Sequence, residues 1–186
     1  MGVMLCYDAG LVGLGWAAFE LPSEPSELPV FLDCGVGVTT LPSKKKRRGR
    51  RVTDMTVDRI HLHTDTVKRL HKRFKPVVYF SELPHSGARG AKAIRAMATA
   101  MTLLVSTLRV VAPKTPSVYL LPSDIKKTLT GFDRADKEAV EAKVRALWPS
   151  ADLSGVPAAV QHNAIDAMAV CAAVLTHPAY QKAVTG

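Results

Sequence analysis

The sequence predicts an α/β fold: a five-stranded mixed sheet, made of an antiparallel three-strand meander plus two parallel strands, flanked by α-helices. Three observations predict it. Three short apolar segments with brief connections open the chain. After them, apolar strands alternate with amphipathic helices. Val3 to Tyr7 and Val77 to Phe80 are unbroken apolar runs, as fully buried strands are.

The elements follow in order. Val3 to Tyr7 is the first strand and ends in Asp8, before the turn residues Ala9 and Gly10. Gly13 to Leu21 is the second. Leu21 to Pro29 carries Pro22, Pro25 and Pro29 and marks a loop. Val30 to Thr39, with Gly35 and Gly37 inside it, is the third strand, and residues 42–52 form a basic loop. Thr53 to Lys75 is helical: Ile60, Val67, Leu70 and Phe74 share one face, with His, Lys, Arg and Asp on the other, and Pro76 stops it. Val77 to Phe80 is the fourth strand and ends at Ser81 and Glu82. Ala88 to Arg109 is a second helix with two apolar stripes. Ile94, Met97, Met101, Leu104 and Leu108 form one; Ala93, Ala96, Ala100 and Leu103 form the other. Such a helix is either deep core or shared with a second subunit. Ser117 to Leu121 is the fifth strand. Asp133 to Leu147 is a helix with a cap at Asp133 to Asp136, a Val140, Val144, Leu147 stripe, and a stop at Pro149. The last helix, about Val160 to Leu175, precedes Pro178.

A chain of 186 residues suits one domain, here 1–186, with enough length for a core that needs no disulfides. Apolar stretches are broken by charge or proline before the length a membrane span needs, and Met1 to Asp8 carries no secretory pattern. Cys6, Cys34 and Cys171 are scattered without metal-ligand spacing. They read as reduced thiols in a cytoplasmic compartment. The net charge is +9, and most of it lies in one run: Lys44, Lys45, Lys46, Arg47, Arg48, Arg50 and Arg51. Without those seven charges the chain carries only +2. A run of this density is an electrostatic footprint for polyphosphate, although a solvated loop or an import tag has the same composition.

Four acidic residues stand among apolar neighbours: Asp8, Asp33, Glu82 and Asp166. A buried carboxylate is costly unless it is paired or bound to a metal. Asp8 ends the first strand and Glu82 the fourth. In a mixed sheet those strands are parallel neighbours, so both side chains emerge at the same end. Asp166 lies on an otherwise apolar helix that can face those strand ends. Three hard oxygen donors in one place suit Mg²⁺ or Mn²⁺. Each also has an ordinary role open to it: turn former for Asp8, helix cap for Glu82, partner of a buried arginine for Asp166. Asp33 lies in mid-strand on the outer part of the meander and is left out.

The ordered set of motifs resembles the RuvC-type Holliday junction resolvases of the ribonuclease H-like superfamily. Tyr7-Asp8-Ala9-Gly10, followed by Gly15-Trp16-Ala17, resembles the family's opening, with Ala9 in place of the usual proline. Glu82 matches the Glu that ends the fourth strand. Ile125 to Gly131 and then Ala135 to Val140 are similar to the segment that carries the family's two lysines, here Lys126 and Lys137. Asp166-Ala167-Met168-Ala169 resembles the terminal helix. The resemblance runs over nearly the whole chain. It departs where the family has an acidic or histidine ligand three residues before the last Asp; here that position is Asn163, with His162 beside it. The basic run is not a family element. These departures suit a phage-encoded member at work in a bacterial host or phage-infected cell.

The resemblance implies a homodimeric endonuclease acting on branched DNA, above all the four-way junction, with two Mg²⁺ or Mn²⁺ ions in each active site. It implies Asp8, Glu82, Asp166 and either Asn163 or His162 as ligands, His162 being favoured as an acid–base group. Lys126 and Lys137 are implied beside the scissile phosphate. Arg89, Lys92 and Arg95, at the start of the second helix, can hold the DNA backbone together with the basic run, or equally form a solvated face before the helix enters the core. The doubly apolar helix at 88–109 is the expected dimer interface. Two other readings stay open: a nuclease of the same fold cutting RNA–DNA hybrids or branched DNA generally, and a catalytically silent junction-binding protein, which the neutral Asn163 allows.

Overall fold

A computed structural model describes residues 2–38, 52–83 and 90–186. The basic run Lys44 to Arg51 and Arg89 lie outside the described residues. Strands β1 (Val3–Ala9), β2 (Gly13–Glu20) and β3 (Val30–Val38) precede helix α1 (Val52–Phe74). Then come β4 (Val78–Glu82), α2 (Ala91–Val111), β5 (Ser117–Leu120), α3 (Pro122–Thr130), α4 (Lys137–Leu147), a 3₁₀ turn (Ala158–Val160), α5 (Gln161–Val174) and α6 (Pro178–Thr185). The five strands form one mixed sheet in the order β3-β2-β1-β4-β5. The first three pair antiparallel, and β1, β4 and β5 run parallel. This is the predicted fold class.

Alternation along the strands divides the core in two. Met4, Cys6, Ala17 and Phe19 face one side, where α5 lies over the sheet and α3 and α4 pack on α5. Leu5, Tyr7, Leu14 and Trp16 face the other, against Val67 and Leu70 of α1 and Leu104 and Leu108 of α2. The central strand β1 is buried on both faces, which accounts for its unbroken apolar run. Trp148, just past α4, closes the first layer. Its indole Nε1 donates to the Pro29 carbonyl at 2.9 Å and its ring lies 4.8 Å from Phe19.

Three expectations need correction. Two short helices, α3 and α6, were not predicted; each opens with a proline at its first residue, Pro122 and Pro178, where the missing N–H costs nothing. Helix α4 starts at Lys137, not Asp133, because Asp136 alone is its cap, accepting from the Ala139 amide at 2.8 Å. His63, assigned by its residue type to the polar face of α1, is buried and hydrogen-bonds through Nε2 to the Leu11 carbonyl at 3.0 Å. It thereby ties α1 to the turn that follows Asp8.

Helix α2 is long and apolar enough to cross a membrane by length and composition alone. Its first turns carry Lys92 and Arg95 and its last turn Arg109, and it packs on α1 and β1. Only Ala100, Leu104, Thr107 and Leu108 are buried, while Ile94, Met101 and Val110 are exposed.

Candidate active site

The parallel pairing of β1 and β4 sets Asp8 directly opposite Glu82. Both strands end there, so both carboxylates leave the sheet at one edge. On the other side of β1, Asp8 is paired with Gly15. That glycine is required by a close approach: a Cβ on it would lie 1.9 Å from the backbone oxygen of Asn163. A Cβ on Gly13 would meet the Asn163 side-chain nitrogen at 2.4 Å. The two glycines of β2 therefore let the first turn of α5 settle on the sheet beside Asp8, which brings in Asn163 and, one turn later, Asp166.

The result is a cavity of about 310 Å³ lined by Asp8, Glu82, Asn163 and Asp166, by Lys126 and Lys137, and by apolar walls that include Ile125 and Val140. Residues from β1, β4, α3, α4 and α5 meet in it. Lys137 Nζ lies 3.3 Å from Asp166 Oδ2. A cation at the first residue of a helix opposes the helix dipole. Here Lys137 is offset by the Asp136 cap and by Asp166.

The electrostatics are those of crowded acids. Burial, then the charges of Glu82 and Asp166, push the Asp8 carboxyl well above the usual carboxylate range, with Lys137 working against them. Glu82 is pushed up to about 7 by burial and then by Asp166, opposed by Lys137 and Lys126. Negative charge is thus under-compensated in the pocket.

The donor set fits a hard divalent cation. Three carboxylates and one amide offer oxygen ligands alone, and a bound cation relieves the charge that raises Asp8 and Glu82. The carboxylates nevertheless share the pocket without closing into a cage: among the described residues, no group of three or more His, Cys, Asp or Glu side chains is poised as a metal site. Asp166 is held by Lys137 instead.

The structure separates the two candidates for the fourth position. Asn163 lines the pocket, whereas His162 is exposed and does not. The sequence offered a signal for this choice in Gly13 and Gly15, the two positions on which Asn163 packs. Asp33 lies elsewhere, paired with Arg73 at 2.7 Å. Lys92 and Arg95 are exposed on the first turns of α2.

No family model matches the chain, and no curated protein does. Solved structures do. Thermus thermophilus RuvC in complex with a Holliday junction substrate is 18% identical with a TM-score of 0.69, over 93% of this chain and 92% of that one. A second Thermus thermophilus RuvC structure is 20% identical with a TM-score of 0.67, over 92% of each chain. The yeast mitochondrial Holliday junction resolvase Ydc2 is 13% identical with a TM-score of 0.61, over 97% of this chain and 79% of that one. The chain therefore has the ribonuclease H-like fold, in the five-stranded mixed-sheet form seen in RuvC-type Holliday junction resolvases.

Proposed function

We propose that this protein is a metal-dependent endonuclease that resolves four-way DNA junctions by cutting opposing strands. The observation that carries this reading is the meeting of Asp8, Glu82 and Asp166 in one pocket beneath two lysines. It is supported by a fold shared with proteins whose structures are described as Holliday junction resolvases. Asp8, Glu82 and Asp166, with the Asn163 amide oxygen, would hold two Mg²⁺ or Mn²⁺ ions, which supply Lewis-acid activation of water and of the phosphodiester.

The chain's own groups do the rest. Lys126 and Lys137 place ammonium charge where negative charge develops on the phosphate. Lys137 also holds Asp166 in place. The apolar wall of Ile125 and Val140 narrows the pocket and strengthens each electrostatic contact in it. Lys92 and Arg95 of α2, with the basic run, hold the DNA backbone. A two-fold dimer through α2 offers two such pockets to a two-fold junction, and the exposed Ile94 and Met101, two turns apart on one face, supply an apolar stripe for it. Three free, buried cysteines suit a reducing cytoplasm.

The test is cleavage of a synthetic four-way junction by wild type and Asp8→Asn, in Mg²⁺ and in Mn²⁺, with both nicks mapped. Wild type is expected to cut opposing strands. Asp8→Asn is expected to lose activity on the order of 10³-fold while it still binds. Binding without any cut would leave a junction-binding protein, the reading that the neutral Asn163 allows. Faster cutting of an RNA–DNA hybrid would move the assignment to the other nuclease class.

A further inference from the structure

The basic run at 44–51 is not the only one. Lys68, Arg69, Lys72, Arg73 and Lys75 put five cations into eight residues with no acid among them. Removing both runs turns a chain of +9 into one of −3. All the positive excess of the molecule therefore sits in these two segments, and the second lies within the described structure, at the C-terminal end of α1.

Its placement is well defined. Val67 and Leu70 face the core, so Lys68, Arg69 and Lys72 point outward, and all three are exposed, as is Lys75. Arg73 is neutralised by Asp33. Among the described residues, Lys68, Arg69, Lys72 and Lys75 have no ion pair. Helix α1 ends where β4 begins, so this surface lies at the end of the sheet opposite Glu82. The length of β4 alone separates it from the pocket by about 15 Å. Basic residues in a last helical turn complement the helix dipole. That accounts for the final turn but not for Lys68 and Arg69, which precede it.

We infer that this end of α1 is a second polyphosphate-binding surface, remote from the carboxylate pocket, and that its occupant is a DNA duplex segment. These side chains stand exposed at a helix end, and none of them lines one of the described cavities. A small phosphorylated metabolite would find nothing to enclose it. An extended polyanion needs no enclosure: the cations span about 10 Å of helix, and a duplex presents roughly six phosphates over that length. The negative remainder of the chain steers such a partner to this site. The choice of DNA as the polyanion rests on the function proposed above; the surface itself rests on charge and exposure.

The experiment uses the full chain with Lys68→Glu, Arg69→Glu and Lys72→Glu combined, and a second variant with Gln at the same positions. Affinity for a 20-bp duplex is measured across a salt series, together with the single-turnover cleavage rate at saturating four-way junction. The Glu variant is expected to bind duplex about 100-fold more weakly and to lose about 2 to 3 from the slope of log affinity against log salt. The Gln variant should fall between it and wild type, with an unchanged melting temperature and an unchanged cleavage rate. Wild-type affinity and slope in the Glu variant would overturn the inference. So would a poly-glutamate chain that binds wild type more tightly than the duplex does. If no junction is cut by wild type while the slope still falls in the variants, the nuclease reading fails and this surface stands.

Discussion

Helices α5 and α2 look alike in sequence, apolar on nearly every side, yet the molecule treats them differently. Ten residues of α5 are buried, from Ala164 to Val174 with Asp166 the exception. It is enclosed between the sheet and the α3–α4 layer, and the one acid it carries opens into the pocket. Helix α2 buries four residues and leaves Ile94, Met101 and Val110 in contact with solvent. Apolar composition thus announces that a helix will be covered, but not by what. Helix α5 is covered by its own chain and positions chemistry. Helix α2 has a free flank, to which the proposed function assigns a second subunit.

The contrast can be broken most forcefully at Gly15, where α5 meets β2. A methyl group there collides with backbone, not with a flexible side chain. Gly15→Ala is expected to cost about 3 kcal/mol, roughly 10 °C in Tm by calorimetry. A melting curve matching wild type would mean that α5 does not depend on that close approach.

Glu82 gives a smaller effect with a definite sign. Its folded pKa is about 7 against an ordinary value of 4.5. The folded state therefore holds the proton more tightly than the unfolded state. The stability this confers is complete below about pH 4.5 and is lost as pH rises through 7. In chelator, Glu82→Gln should melt on the order of 5 °C above wild type at pH 8 and level with it at pH 4.5. Added Mg²⁺ should narrow the gap at pH 8, because wild type gains more from it. Parallel melting temperatures across the whole pH range would count against a crowded acid pocket.

The smallest effect on stability belongs to the free flank of α2. Ile94→Asp with Met101→Glu should change stability by no more than about 0.5 kcal/mol, as surface changes usually do. The mass measured by sedimentation should fall from dimer to monomer. A collapse in Tm would show that the flank is needed for folding; an unchanged mass would remove α2 from the interface.

Much of this was legible in the sequence, for physical reasons. The unbroken apolar strands gave the sheet's centre, and Asp8, Glu82 and Asp166 stood out as acids in apolar surroundings. What was missed lay where two signals overlap. Pro178 read only as a stop because proline both ends and begins helices, and Pro122 was not read as a helix start for the same reason. His63 read as polar because its type outweighed its position; only the tertiary bond to Leu11 explains its burial. His162 and Asn163 share one helical turn, and the phase of α5 on the sheet, fixed by Gly13 and Gly15, selects between them. The second basic run escaped notice because an amphipathic helix is expected to have a charged outer face.

The order in which the pocket's parts emerge during synthesis carries a final consequence. Asp8 and Glu82 come from strands made early, while Asp166 belongs to the helix that roofs Met4, Cys6, Ala17 and Phe19. At ordinary translation speeds on the order of ten seconds separate β4 from the end of α5. Through that interval a nascent chain shows one greasy side of its sheet to the ribosome surface and to chaperones. It also lacks one of its three acids, so the carboxylate pocket is completed in the same step that hides the aggregation-prone surface.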